Sequence, residues 1–462
     1  MEFPEGLIIS VSGIRGRVGV DLTPELVGGF AAAFGAFVRR QGWGDHLAIA
    51  RDSRPSGPEL VRAATAALLG AGCRVSDLGL VPTPTALLAI EELGLAGGIV
   101  VTASHNPKEW NALKLASPEG AFLTPQQGAE FLSELRSGAQ PPVAEGEPGE
   151  AVELPGAVDR HIERVLGLEL VDPAAIAARG FKVVLDCARG AGGVILPALL
   201  ERLGVDLVGI ELEPDGRFTR EPEPIPANMG ALCRRVPQER ADLGMAVDPD
   251  VDRLALVDGS GRAIGEDYTL ALAAKLVLSH RPGPVVANLS TSQIVETVCR
   301  EAGAEYHQSP VGEANVAAAM RVVRAVVGGE GNGGVILPAL HLTRDAPLGV
   351  ALVLQLLAET GMSLGAIVAD YPQFVIVKNR FPRGHGALDD LAGELETAFP
   401  GAVTDRRDGV HLRWPDRRIW LHIRASGTEP ILRVIAEGPL DSEAEVRQLV
   451  DGAGAIVARA AE

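Results

Sequence analysis

Cysteine is scarce in this chain. Cys73, Cys187, Cys233 and Cys299 are the only four in 462 residues, they stand far apart, and no two form a C-x-x-C pair. That spacing offers neither a disulfide framework nor a zinc cluster, and the expectation is buried free thiols in a reducing cytoplasm. Basic charge is also short: 42 Lys and Arg against 60 Asp and Glu leave a formal net charge of −18. A surface of that sign repels phosphate backbones, which argues against nucleic acid as the main partner. An anionic small molecule would need a local basic patch to draw it in. No apolar run reaches the roughly 18–20 residues that span a bilayer, so no membrane partner is expected. The opening MEFPEGLIIS has acidic residues and no basic segment before a long apolar core. It does not read as a secretory signal, and a cytoplasmic location is the expectation.

What is present is ordinary globular composition, 47% hydrophobic and 22% charged. The length predicts about three or four domains. Short apolar strands alternate with helical patterns, and the cycle restarts twice. HLAIA opens the first unit, FKVVLD the second and PVVANLS the third. Each βαβαβ unit ends in a polar loop just after a strand, at about 104, 248 and 330. Alternation of this kind predicts an α/β fold with mixed or parallel sheets, and ligands bind beyond the carboxyl ends of such strands. The tail from Phe374 reads as a smaller α+β unit: a helix over DDLAGELETAF, short strands HLRWP, RRIWLHIR and ILRVIAE, and a last helix from about Ser442. The stretch 137–156, rich in Pro, Gly and Glu, reads as a linker. The units fall at 1–150, 157–258, 259–372 and 373–462.

Each loop carries a distinct set of side chains. TASHNP places Ser104 at a strand end beside His105. It is either an exposed nucleophile or phosphate carrier, or an N-capping turn. DPDVDR places Asp248, Asp250 and Asp252 at alternate positions. Such carboxylates repel one another unless a cation or arginine offsets them, and oxygen ligands select Mg²⁺, Ca²⁺ or Mn²⁺. The loop is not an EF-hand, since the required glycine and distal glutamate are missing. GGEGNGG (328–334) lets backbone approach a ligand closely, with Glu330 and Asn332 suited to vicinal hydroxyls, or it is a plain flexible turn. RASGTEP offers Arg424, Ser426, Gly427 and Thr428 as a phosphate cradle, with Arg433 on the next strand, or it is a hairpin turn. SGIRGRVG (12–19) sets Arg15 and Arg17 between glycines, as a second basic contact or a solvated turn.

Taken together and in this order, the serine loop, the D-x-D-x-D-R loop, the G-E-x-x-G loop and the R-x-S-G-T-E-P loop resemble the α-D-phosphohexomutases over essentially the whole chain. The resemblance implies three similar βαβαβ mixed-sheet domains and a smaller C-terminal domain around a central cleft, with the last domain closing over substrate. It implies Ser104 as phosphoserine, Mg²⁺ held by Asp248, Asp250, Asp252 and an oxygen on Ser104, and Arg253 and Arg15 facing the transferring phosphate. His105 and Lys114 would handle protons or charge there. Glu330 and Asn332 would hold sugar hydroxyls, and Arg424, Ser426, Gly427, Thr428 and Arg433 the non-reacting phosphate. The partner would be a hexose phosphate, with hexose 1,6-bisphosphate as intermediate and activator, acting on a monomer or homodimer. The R-x-S-G-T-E-P form puts glucosamine phosphate first, with glucose or mannose phosphates as the alternative. A sugar-phosphate sensor and a metal phosphatase are readings of other classes. Two departures stand out. Many members read G-E-x-S-G-H in the third loop, where this chain has Asn332 and Gly334, and Ala314 replaces a usual basic residue. His341 or Arg344 is the expected substitute for the lost histidine.

Overall fold

The computed structural model describes residues 3, 4, 6–10, 13–136, 149–382, 388–426 and 431–459. Three of its four sheets share one topology. In the first, His46–Arg51 lies between Arg74–Leu80 and Gly98–Val101, all parallel, and Trp110–Ala116 adds antiparallel beside Gly98–Val101. In the second, Lys182–Asp186 lies between Asp206–Ile210 and Leu243–Val247, and Leu254–Asp258 adds antiparallel. In the third, Val285–Asn288 lies between Tyr306–Ser309 and Val327–Glu330, and Gly334–Ile336 adds antiparallel. The recurring pattern is therefore a recurring topology. Each chemistry-bearing loop joins the last parallel strand to the antiparallel one. Strands such as GIVV and LGMAV are buried along their whole length, as parallel strands covered on both faces must be. The first polar residues after them turn at the sheet's carboxyl edge.

The first sheet is wider than expected. Ile8–Ser10 and Gly13–Arg17 extend it antiparallel, so Arg15 sits on a strand and not in a turn. At the opposite edge Ala151–Glu153 pairs parallel with Arg74–Leu80. The supposed linker at 137–156 thus contains a strand. Its three exposed residues carry no apolar alternation that could have announced it. The fourth sheet is antiparallel, in the order Phe374–Pro382, Ile431–Pro439, Ile419–Ala425, Val410–Trp414, Val403–Asp405, and its edge strands Phe374–Pro382 and Val403–Asp405 add to the three expected.

Helices Asp267–His280 and Ala346–Thr360 are buried nearly all round, and their apolar residues share one core with the second and third sheets. Asp345 starts the latter helix, its side chain accepting from Leu348 N, and the same carboxylate takes His161 Nε2 at 2.7 Å and His341 Nε2 at 2.8 Å. Thr85 of the first unit completes this junction through His161 Nδ1 at 2.8 Å. All four cysteines are free; Cys73, Cys187 and Cys299 are buried and Cys233 is half-buried. Among the described residues no helix is long and apolar enough to cross a membrane.

Candidate active site

Ser104 lies at a tight turn with φ of 49°. A non-glycine residue in the left-handed region is uncommon, and such positions cluster at functional sites. Its surroundings enforce it. Arg54, wholly buried, donates to the carbonyls of Ser104 and Asn106 through Nη2 and of Pro107 and Trp110 through Nη1. Asp52 holds Arg54 Nε at 3.0 Å and Thr102 Oγ1 at 2.7 Å, and Thr102 Oγ1 accepts from Ser104 N at 2.9 Å. The loop is thus gripped from beneath, and Ser104 Oγ points across to the second unit, donating to Asp248 Oδ2 at 2.9 Å. His105 Nδ1 stands 3.3 Å from the same Oγ. Burial holds His105 well below the usual histidine range, and Arg253, Arg15 and Arg433 push the same way, so the ring is neutral. Arg15 reaches the loop through Asn106 Oδ1.

The three aspartates are fully buried, and one carboxylate oxygen from each lies within 4.8 Å of the others. Val251 between them has φ of 65°, a strained value for a buried β-branched residue. Burial pushes the Asp248 carboxyl up, and its neighbours Asp252 and Asp250 add to that. Burial acts on Asp250 likewise, but Lys114 outweighs it and holds the group low. Lys114 Nζ is 2.8 Å from Asp250 Oδ2 and 3.8 Å from Asp252 Oδ2. Thr83 Oγ1 donates to Asp250 Oδ2 at 2.8 Å. Arg253 Nε stands 3.7 Å from Asp252 Oδ1, and its Nη1 3.2 Å from Glu223 Oε1.

These contacts test whether the site suits a cation. Asp250 Oδ1 and Asp252 Oδ1 are buried without a hydrogen-bond partner. The other oxygen of each is already held, by Lys114 and by Arg344. An orphaned buried carboxylate oxygen costs free energy unless something positive meets it. Two such oxygens, with Asp248 and Ser104 beside them, make an all-oxygen donor set that fits Mg²⁺.

The glutamate loop does not stand open. Glu330 is 3% exposed, its Oε1 accepting from Asn288 Nδ2 at 2.8 Å and Gly312 N at 2.9 Å, its Oε2 from Arg344 Nη1 at 2.7 Å. Asn332 is half-buried and accepts from Gly334 N at 3.2 Å. In the fourth unit, Arg424 Nε pairs with Asp408 Oδ2 at 2.8 Å, and that carboxylate also takes Val311 N of the third unit at 3.0 Å. Ser426 is buried, and its N donates to Ile431 O at 2.9 Å. Gly427 and Thr428 lie outside the described residues. Arg433 is on strand Ile431–Pro439, near enough to act on His105.

Comparison with known proteins decides the family. The four phosphoglucomutase/phosphomannomutase domain families match in order: alpha/beta/alpha domain I over residues 7–140, domain II over 159–261, domain III over 265–374, and the C-terminal domain over 388–453. The chain belongs to the phosphoglucomutase/phosphomannomutase family. It is a phosphohexomutase, an isomerase that acts as an intramolecular phosphotransferase. A Methanopyrus kandleri protein described as "Probable phosphoglucosamine mutase" is 36% identical over 99% of each chain. A "Phosphoglucomutase/phosphomannomutase" of Thermococcus kodakarensis is 34% identical over 95% of this chain and 96% of its own. Among solved structures, a phosphoglucomutase/phosphomannomutase family protein from Burkholderia thailandensis superposes with a TM-score of 0.83 at 28% identity, covering 98% of this chain and 97% of its own.

Several groups that build this phosphohexomutase site were not singled out from sequence. Asp52 and Arg54 lie in RDSR, directly after the apolar strand HLAIAR. The strand-end logic that marks DPDVDR marks RDSR equally. Asn288, the polar last residue of the buried strand Val285–Asn288, carries the same signal, whereas Thr83 opens a helix and does not. Of the two substitutes considered for the lost histidine, His341 is excluded: it is wholly buried against Asp345 in the junction with His161. Arg344 is the one at the site.

Proposed function

We propose that this phosphohexomutase interconverts glucosamine 6-phosphate and glucosamine 1-phosphate through a phosphoserine at Ser104. The observation that carries the mechanism is the position of Ser104 Oγ, 2.9 Å from Asp248 Oδ2 and in the same cluster as two buried carboxylate oxygens, of Asp250 and Asp252, that accept no hydrogen bond. Asp248, Asp250 and Asp252 would hold Mg²⁺ with an oxygen on Ser104. When bound, the ion neutralises charge developing on the transferring phosphoryl group, which is where catalysis of this chemistry mostly lies. Arg253 and Arg15 add fixed positive charge from two sides. Lys114 holds Asp250 ionised and in place, and neutral His105 offers a ring nitrogen to the serine oxygen. Phosphoserine passes its phosphoryl group to the substrate, the hexose 1,6-bisphosphate turns round, and the other phosphate returns to Ser104. Arg424, Ser426, Gly427, Thr428 and Arg433 would anchor whichever phosphate is not reacting. Glu330 and Asn332 would meet the sugar hydroxyls. Solved relatives of the same fold support the ligand class. An Aspergillus fumigatus N-acetylphosphoglucosamine mutase is described in complex with GlcNAc-6P and magnesium, and a variant of it with glucose 1,6-bisphosphate.

The amino sugar is supported by the naming of the Methanopyrus relative and by the R-A-S-G-T-E-P form of the phosphate loop. The Thermococcus relative, nearly as similar, supports glucose and mannose phosphates as the second reading. A mutase assay with Mg²⁺ and a trace of hexose 1,6-bisphosphate separates them. Glucosamine, glucose and mannose 1-phosphates are offered in parallel. Fastest conversion of glucosamine 1-phosphate is expected. Fastest conversion of either neutral sugar replaces the first reading with the second.

A further inference from the structure

Gly334 opens the strand that follows the glutamate loop. A Cβ built on it would fall 2.2 Å from Arg344 Cδ, 2.7 Å from Cγ and 3.1 Å from Cβ. Those are atoms of the arginine stem, close to the backbone, and cannot swing aside as a side-chain tip can. Gly334 is not among the residues with positive φ. What demands glycine here is space, not backbone conformation. Arg344 uses that space to drive its head into the site. Nη2 is 2.5 Å from Asp252 Oδ2, Nη1 2.7 Å from Glu330 Oε2, and Nε 3.1 Å from Glu313 Oε2. One planar fork thus joins the aspartate loop, the glutamate loop and the start of helix Glu313–Val323. A lysine, with one point charge, cannot serve three carboxylates in that geometry.

We infer that Gly334 and Arg344 form a single device: the glycine makes room for the arginine, and the arginine positions Asp252 and Glu330 so that the phosphoryl side and the sugar side of the site are held as one piece. The resemblance places a histidine at position 334 in many members. Here that position is emptied and an arginine enters from ten residues on, replacing a titratable group by a permanent cation. Arg344 is a positioning residue, since it acts through Asp252 and Glu330. The inference rests on the site assignment above.

A double-mutant cycle on the full chain tests it, using Gly334→Ala, Arg344→Gly and the combination. Turnover and KM are read on whichever hexose phosphate converts best, and affinity for Mg²⁺ alone by calorimetry. Each single variant should lose about 100-fold in kcat, as expected for a displaced reacting group. The combination should be no worse than Arg344→Gly alone, because the added methyl then meets nothing. Mg²⁺ should bind more weakly to Arg344→Gly, and KM should rise with it. Near wild-type turnover of Gly334→Ala, or losses that multiply in the combination, overturns the inference. Should Arg344→Gly fail to fold, Arg344→Lys decides. It keeps stem and charge but not the fork, and full activity would overturn the inference. Asp250→Asn is the control for the site itself. If it stays active, the site assignment fails. If it is inactive while Gly334→Ala and Arg344→Lys are active, only the Arg344 device fails.

Discussion

The serine, aspartate and glutamate loops are joined to one another by ion pairs buried in the site, whereas the fourth unit is joined to the third by part-exposed ion pairs, Lys378–Glu266 and Arg413–Glu296, together with a capped helix and hydrogen bonds. Ser104 meets Asp248, Lys114 meets Asp250 and Arg344 meets Asp252, each contact crossing between units, and Arg344 also holds Glu330 within the third unit. The fourth unit instead presents His422 Nδ1 to Ser290 Oγ at 2.8 Å. Its Glu437 carboxylate sits at the start of helix Gln293–Glu301, accepting from Gln293 N at 2.9 Å and from Ser292 Oγ. Anions are favoured at helix N-termini, so that carboxylate docks without a cationic partner. A buried ion network is costly to break, because each lost partner leaves a charge without compensation. Part-exposed ion pairs such as Lys378–Glu266 and Arg413–Glu296 contribute about 0–1 kcal/mol apiece. The difference places the buried ion network where phosphoryl transfer needs fixed charge, and joins the phosphate-anchoring unit through one buried carboxylate, Glu437, and ion pairs nearer the surface.

The largest expected effect lies within the buried network. Ser104→Ala should cut turnover by on the order of 10⁴-fold or more, with melting behaviour close to wild type. Incorporation of phosphate from labelled bisphosphate should vanish with it. Next is Arg54→Met, which keeps the stem but strips the serine loop of its donors and leaves Asp52 buried without its cation. A loss of about 3–5 kcal/mol in denaturant unfolding is expected, with kcat reduced about 100-fold. A stable, active variant would mean that the loop holds its own shape.

Acid should weaken the fourth unit through its two buried histidines. Burial pushes His411 down to about 3 and His422 down to about 4, from an ordinary value of 6.5. The folded state therefore binds fewer protons than the unfolded chain below pH 6.5. Their contribution is fully present above that pH and is lost as pH falls through about 4 and then 3. At pH 5 each costs up to about 2 kcal/mol. Trp414 and Trp420, both in this unit, should report its unfolding earlier at pH 5 than at pH 7.5. His422→Gln should flatten that dependence. Asp267, whose carboxyl burial pushes up to about 7, works in the opposite sense: its contribution is present below about pH 4 and is lost as pH rises through 7. The smallest effect is expected for Arg424→Ala. It should raise KM about tenfold, a change of ~1.4 kcal/mol, and leave kcat nearly unchanged. A fall in kcat with constant KM would remove Arg424 from the phosphate anchor.

Much of the fold was legible because its signals are local. Apolar runs of four to six residues between helical patterns announced the parallel strands, and the polar residues after each run announced the loops. The short strand Ala151–Glu153 was missed because its side chains are exposed and it exists only by pairing with Val75, Ser76 and Asp77. For Arg15 the flanking glycines leave a basic contact and a solvated turn equally open, and only the pairing of Gly13–Arg17 with Ile8–Ser10 on one side and Trp110–Ala116 on the other makes that segment a strand. His341 and Arg344 were equal candidates in sequence. They stand three positions apart, yet His341 pairs with Asp345 in the junction while Arg344 pairs with Asp252, Glu313 and Glu330.

The sequence by itself determined the kinds of group in each loop, their order along the chain and the strand ends that carry them, because those properties reside within a few neighbouring residues. Tertiary structure decided which groups meet. Arg344 reaches Asp252 across 92 positions, Lys114 reaches Asp250 across 136, and Ser104 reaches Asp248 across 144. No local pattern encodes such pairings. They follow from packing three sheets so that their carboxyl edges converge, and from the space that one glycine leaves for one arginine.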